Sequence, residues 1–150
     1  MEPRIIKSET LQIAGITGDG NQTTQLWEDF ERKYQTAAFA KADENAYEIR
    51  AYTGEKCDCH VGFGVTKGQI PEGFTIYTLP PSDYAVFDVW VAKGYDSGNA
   101  AMDEWLAHNE AGYRQIAVEG TYTVVEVYTE KFGDGTQPDS VVEIWIPICK

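Results

Sequence analysis

The sequence has few basic residues, few cysteines and no long apolar run, and each shortage excludes a class of protein. Twelve Lys and Arg residues stand against 24 Asp and Glu residues, so the 150-residue chain carries a formal charge of −12. This charge repels nucleic-acid phosphates and anionic lipids, and we expect no direct binding to nucleic acid. Three cysteines without disulfide spacing indicate a reducing compartment. No stretch approaches the ~20 apolar residues of a membrane span and no signal peptide is visible, so we expect a cytoplasmic protein that does not bind membranes.

Familiar catalytic and metal-binding motifs are also missing. The sequence contains no Ser–His–Asp order, no nucleophile elbow and no HExxH, so we do not expect an enzyme. The Cys57-x-Cys59-His60 segment has metal-ligand residue types, but Cys59 and His60 point to opposite faces of a strand. No second ligand pair occurs elsewhere in the sequence. We therefore expect neither a metal nor a cofactor.

Aromatic residues, in contrast, are abundant. The chain has 4 Trp, 9 Tyr and 6 Phe, and 43% of its residues are hydrophobic. This composition and length predict one folded domain over residues 1–150, with a core of substantial size. Aromatic side chains pack cores, and they also line binding clefts.

Apolar periodicity and turn residues predict two helices and seven strands. The helices are expected at 23–39 and 97–109, and the strands at 11–17, 47–53, 59–65, 74–79, 84–91, 121–129 and 141–148. The apolar residues of the two helices are assigned to the core; they include Trp27, Phe30, Met102 and Trp105.

The same pattern occurs twice, at an offset of 75 residues. Trp27-Glu28-Asp29-Phe30 matches Met102-Asp103-Glu104-Trp105, and Tyr47 matches Tyr122. Two halves, about 1–68 and 74–150 with a connector over 67–73, are each too small to fold alone. We therefore predict an α+β fold in which two pseudo-symmetric β-α-β-β halves share one antiparallel sheet. Both helices lie on one face of that sheet, and a ligand cleft lies on the other.

The last predicted strand has one ionisable residue among apolar neighbours. Glu143, Trp145 and Pro147 share one face of this strand, and the isoleucines share the other. An acid beside an indole is the chemistry of a pocket for an organic cation, since a buried lone carboxylate needs compensation. In the alternative interpretation, Glu143 pairs with an Arg or Lys or lies at a wet strand edge.

Several segments resemble the GyrI-like small-molecule-binding family. The resemblance begins with Glu2-Pro3-Arg4-Ile5 and includes Leu26-Trp27-Glu28-Asp29-Phe30. It is most specific in Leu79-Pro80-Pro81-Ser82-Asp83-Tyr84-Ala85-Val86-Phe87 and in Pro138-Asp139-Ser140-Val141-Val142-Glu143-Ile144-Trp145-Ile146-Pro147-Ile148. In this family the domain is the effector-binding module of AraC-type and MerR-type multidrug-sensing regulators, and it also occurs alone. The resemblance implies a ligand cleft between two β-α-β-β halves.

The resemblance also implies ligand-binding residues. It makes Glu143 the anchor for a cationic aromatic compound, with Trp145 and Tyr84 as stacking partners. Aligning the strand ends of the two halves places His60 opposite Glu143, although an exposed or satisfied strand histidine is the alternative. The other candidates are aromatic: Trp90, on the strand face of Tyr84, and the matched tyrosines Tyr47 and Tyr122.

These features predict a stand-alone binding domain for hydrophobic, cationic aromatic small molecules. With no room for a helix-turn-helix in 150 residues, a role in transcription would need a separate DNA-binding protein as partner. Two alternatives stay open. One is a protein-interaction role, as in family members that inhibit DNA gyrase. The other is a hydrolase of reactive electrophilic toxins that uses Glu143 with Tyr84 or another tyrosine.

Overall fold

The structure, a computed structural model, describes residues 2–66, 70–118, 120–133 and 135–150. Within these ranges, two helices and a short 3-10 turn (Val91–Lys93) accompany ten strands. The helices are α1 (Thr23–Thr36) and α2 (Tyr95–His108). The strands are β1 (Arg4–Ser8), β2 (Leu11–Asp19), β3 (Ala46–Thr53), β4 (Lys56–Val65), β5 (Thr75–Leu79), β6 (Ser82–Trp90), β7 (Arg114–Gln115), β8 (Ala117–Val118), β9 (Thr121–Tyr128) and β10 (Val141–Cys149).

All of these strands join one antiparallel sheet. Its order is β1-β6-β10-β9-β3-β4-β2-β5, with β7 on β10 and β8 on β9. From the central pair β3–β9, the order outward is β4, β2, β5 on one side and β10, β6, β1 on the other. The outermost strands are exchanged between the halves. β1 of the N-terminal half pairs with β6, and β5 of the C-terminal half pairs with β2. This order supports the internal repeat, which itself stays a prediction.

Both helices lie on the same face of the sheet. In α1, Leu26 and Phe30 are buried against Ala14 and Val61. The strand register carries this face from β2 and β4 across the sheet to β6 and β10, on which α2 packs. The predicted α+β fold, with one antiparallel sheet and two helices, is confirmed. The helix predicted over 23–39 ends earlier, at Thr36, and Phe39 is buried beyond its end.

The helix-free face of the sheet is a second core. Its side chains include Ile13, Tyr47, Ile49, Leu79, Val125 and Val127. The sheet is strongly curled, so these side chains bury one another without a covering helix. A Cβ at Gly15 would overlap the Val61 carbonyl oxygen, which shows how closely β2 and β4 approach. This face is therefore packed with side chains at the place where the sequence predicted a ligand cleft.

The segment that precedes β5 is described only in part. Of the predicted connector over 67–73, residues 67–69 lie outside the described residues, and Phe74 packs in the α1 cluster. Each helix has 14 residues, and within the described ranges neither is long and apolar enough to cross a bilayer.

Candidate functional site

Glu143 lies on the helix-free face, where it already has partners. Its carboxylate is 2.8 Å from the Lys131 Nζ and 3.4 Å from the Arg4 Nη2. The Trp145 Nε1 donates a hydrogen bond of 2.9 Å to it. The side chain is buried, with the residue 9% exposed. The expectation of an uncompensated carboxylate is therefore wrong, and the alternative of a paired Glu143 describes the structure.

A second acid completes this cluster. Asp88 stands opposite Glu143 in the β6–β10 register, and it accepts from Arg4 at 3.0 Å and from Lys131 at 3.4 Å. Two acids and two bases leave no net charge. A hydrogen bond to Glu143 is the main cause that raises the pKa of Lys131. The cluster therefore fastens β1 and the segment after β9 to the sheet.

The structure brings some of the other predicted site residues together. The rings of Tyr84 and Trp145 lie 5.5 Å apart on the helix-free face beside Glu143. Tyr47 shares that face, and its hydroxyl donates to Asp43 at 2.9 Å. Burial raises the pKa of both Tyr47 and Tyr84. These aromatic side chains are packed in the second core.

Two predicted residues lie apart from this group. Trp90 ends β6 and is 39% exposed, with the Lys93 Nζ 5.4 Å from its ring centre. Tyr122 pairs with Tyr52 in the β3–β9 register, which places it on the helix-bearing face. Tyr122 therefore cannot join Glu143 in one pocket.

His60 is satisfied within the protein. Its Nε2 is 2.9 Å from the Ile13 carbonyl oxygen, which can only accept, so Nε2 carries the proton. Its Nδ1 then accepts from the Thr17 hydroxyl at 2.8 Å. Burial lowers the pKa of His60, so the ring is neutral. The alternative of a satisfied strand histidine therefore describes His60, which does not pair with Glu143.

Space for a ligand lies on the helix-bearing face, in a groove between α1 and α2 that we name the interhelical groove. Two adjoining cavities of about 650 Å³ and about 510 Å³ form it. Their shared lining is Thr23, Thr24, Glu48 and Tyr128. The first extends past Trp27 toward Phe132, and the second extends toward Tyr95 of α2. The size suits an organic molecule of drug size.

Two acids and one base form the floor of this groove. Glu48 of β3 and Glu126 of β9 are cross-strand partners, so their side chains stand side by side. They are 2% and 9% exposed. The Arg50 Nε lies 2.9 Å from the Glu48 carboxylate and 3.1 Å from the Glu126 carboxylate. One N–H group is therefore shared between two carboxylates.

The rest of the Arg50 guanidinium is held by the start of α1. Its Nη1 donates to the Gly20 carbonyl oxygen at 3.2 Å, and its Nη2 donates to the Thr23 hydroxyl at 2.8 Å. Arg50 therefore cannot reorient toward one carboxylate without losing its hydrogen bonds to Gly20 and Thr23.

The charges on the floor do not balance when both acids are ionised. Burial, followed by the hydrogen bond and charge of Glu48, raises the pKa of Glu126 to about 8. Burial also acts to raise the pKa of Glu48, but hydrogen bonds with Glu126 and Trp27 and the charge of Arg50 hold it below the ordinary value. The two groups titrate as a pair, in which Glu48 is the ionised member.

Aromatic rings wall the groove above this floor. The Trp27 ring stands perpendicular to that of Tyr128 at 6.0 Å, and Tyr128 is perpendicular to Phe132 at 4.8 Å. The Trp27 Nε1 donates to Glu48 at 2.9 Å. The sequence prediction assigned Trp27 to the core and missed both acids. The missed signal is the one that singled out Glu143: a lone acid between apolar strand residues.

Known proteins resemble this chain over nearly its whole length. A family described as "integron-associated effector binding protein" matches residues 4–148. The transcriptional regulator BrlR of Pseudomonas aeruginosa is 27% identical over 99% of this chain, which spans 56% of that regulator. Two solved structures share the fold. SAV2435 bound to tetraphenylphosphonium has a TM-score of 0.70 at 18% identity, covering 99% of this chain and 94% of its own.

The second solved structure is EcmrR in an EcmrR–DNA complex, with a TM-score of 0.73 at 10% identity. The match covers 99% of this chain and 57% of EcmrR. At such identities the two structures establish the fold, and the family match over 4–148 establishes the relationship. The resemblance to GyrI-like domains is thereby confirmed. The chain belongs to the Cass2 family of integron-associated effector-binding proteins and is a GyrI-like effector-binding domain.

Proposed function

We propose that this domain binds hydrophobic, cationic aromatic small molecules in the interhelical groove. The observation that carries the proposal is the floor, where the buried carboxylates of Glu48 and Glu126 share the single guanidinium of Arg50. A cationic ligand above this floor supplies the missing positive charge in a setting of low dielectric, where charge pairing is strong.

The walls of the groove favour an aromatic ligand. Trp27, Tyr128 and Phe132 present ring surface beside the acids, and flat cations are attracted to such rings. The acids Glu31, Glu44 and Glu130 also line this cavity and add to its negative potential. Binding of tetraphenylphosphonium by SAV2435, which has the same fold, makes phosphonium compounds suitable probes.

Calorimetric titration with a matched pair of ligands tests this proposal. Methyltriphenylphosphonium is a permanent cation, and triphenylphosphine oxide is a neutral molecule of similar shape. At pH 8 we expect the cation to bind more tightly, and Glu126→Gln to weaken it by at least about tenfold, the lower part of what a charge-assisted contact contributes. The oxide should change little.

Two control variants locate the site. Asp103→Asn removes one exposed acid from α2, and Glu143→Gln removes a buried acid from the helix-free face. Both should keep the affinity for the cation within about twofold, since neither lines the groove. Loss of binding in Glu143→Gln but not in Glu126→Gln would move the site to the other face. Equal affinity for both ligands would refute a cation site.

We infer a binding role rather than catalysis because the family is defined by effector binding. The acidic charge of −12 argues against direct contact between this domain and DNA, so in any transcriptional role we expect DNA to be contacted outside this domain. The three cysteines are free, which fits a reducing cytoplasm.

A further inference from the structure

We propose that the empty interhelical groove holds one proton between the carboxyl groups of Glu48 and Glu126, and that a cationic ligand releases this proton when it binds. This inference rests on the proposed function of the groove. It adds a coupling, in which one cation binds as one proton leaves to the solvent. The net charge of the floor and its ligand together is then the same as that of the protonated floor alone.

The geometry of the pair favours a shared proton. Glu48 and Glu126 are cross-strand neighbours, and the Arg50 Nε lies 2.9 Å from one carboxylate and 3.1 Å from the other. Both acids are buried, so two ionised carboxylates held at the same N–H group would repel each other with little screening by water. A single proton on the pair removes this repulsion and leaves one carboxylate to balance the one guanidinium.

No second cation faces the pair from the surrounding elements in the described ranges. From β4 comes the Cys59 thiol, whose pKa is raised to about 12 by burial and by the charge of Glu48, so it is neutral. From α1 come Trp27 and, at the rim, Glu31. The phenols of Tyr95 on α2 and Tyr128 on β9 have a raised pKa and are neutral as well.

Among the described residues, the charged side chains at the rim of the groove are acidic. Glu44 and Glu130 line the larger cavity together with Glu31. These acids favour retention of the proton in the empty groove and favour a cation in the occupied one. Arg50 is already held by Gly20 and Thr23, and among the described residues no other basic side chain lines the groove. A ligand cation is the remaining source of positive charge that can replace the proton.

Calorimetry in two buffers of different ionisation enthalpy measures the proton directly. We titrate methyltriphenylphosphonium into the whole chain at pH 6, 7, 8 and 9. At pH 7 we expect release of nearly one proton per cation bound, and at pH 9 release of almost none. The affinity should rise on the order of tenfold per pH unit below about pH 8 and then level off. Triphenylphosphine oxide should release no proton at any pH.

Glu126→Gln serves as the matched variant. It keeps the hydrogen-bonding shape and cannot lose a proton, so its weaker cation binding should be independent of pH and of the buffer. Asp103→Asn should behave like the wild type. Cation binding without proton release at pH 7 would overturn this inference while leaving the proposed function intact. Failure of both ligands to bind at every pH would overturn the proposed function itself.

Discussion

Glu48 and Glu126 face each other across the β3–β9 pair, and the Arg50 Nε lies within 3.1 Å of both carboxylates. When both acids are ionised, this relationship places one unbalanced negative charge at the centre of the sheet. Glu48 and Glu126 are 78 positions apart in the sequence (126 − 48), but their strands are adjacent in the sheet. Burying these charges costs free energy that an apolar floor would not, and the cationic ligand proposed above would offset part of that cost.

Removal of one acid should make folding less sensitive to pH. The pKa of Glu126 is raised from 4.5 to about 8 in the folded protein. The wild-type free energy of unfolding therefore falls as the pH rises through this window. We expect Glu126→Gln to be more stable than the wild type at pH 8.5, by on the order of 1–2 kcal/mol, with a smaller gain at pH 5. Urea unfolding at both pH values measures the difference, and a gain that is equal at both would contradict the prediction.

Removal of Arg50 should lower the free energy of unfolding. Arg50→Met leaves two buried carboxylates without their cation and frees the start of α1. We expect a loss of about 3–5 kcal/mol at pH 7, the usual cost of breaking a buried charge pair from one side. Adding Glu126→Gln to Arg50→Met should restore part of the stability. Denaturant unfolding of the single and double variants forms the test, and strictly additive effects would rule out the coupling.

Glu143 should behave as a structural residue. Glu143→Gln weakens the contacts with Arg4 and Lys131, so we expect stability to fall by about 1–2 kcal/mol. The sequence pattern alone predicts the reverse, a variant as stable as the wild type or more so, because it shows the acid without its partners. Thermal unfolding of the variant distinguishes the two, with Asp103→Asn as the charge-matched control.

Ligand binding should alter the fluorescence of Trp27. Trp27 lines the groove, whereas Trp145 lies on the other face of the sheet. Trp27→Phe should remove most of the quench caused by a phosphonium ligand, and Trp145→Phe should keep it. The sequence interpretation placed Trp145, together with Trp90, beside the ligand, so the opposite result would favour that interpretation.

The protein should not bind duplex DNA detectably at physiological salt. With 12 basic residues against 24 acidic ones, the chain is repelled by the phosphates and gains little from displacing their counterions. A gel-shift titration of the purified chain tests this, and a salt-sensitive shift would contradict it.

Local pattern was enough to predict much of the fold. Alternation within the last strand placed Glu143 and Trp145 on one face, as in the structure, and helical spacing located both helices. The shared sheet was predicted from the small size of each half. The sequence pattern could not identify the partners of Glu143. Arg4 lies at the other end of the chain, and Lys131 lies in an irregular segment. Periodicity fixes which way a side chain points, but not what meets it from a distant strand.

The site was harder to predict for the same reason. Glu48 and Glu126 each have a strand context like that of Glu143, yet only their pairing through Arg50 makes them unusual. That pairing depends on the register between β3 and β9, which are separated by a helix and several strands. β1, β7 and β8 were not predicted at all, because strands of two to five residues carry little periodicity.

The exchanged outer strands bind the two ends of the fold to each other. β1 precedes α1 in the chain but hydrogen-bonds to β6, while β5 follows β4 and hydrogen-bonds to β2. Neither side of the sheet can detach without exposing an unpaired edge of the other, so unfolding should be a single all-or-none event. A molecule bound in the interhelical groove would therefore raise the free energy of unfolding of the whole sheet and not of one half alone.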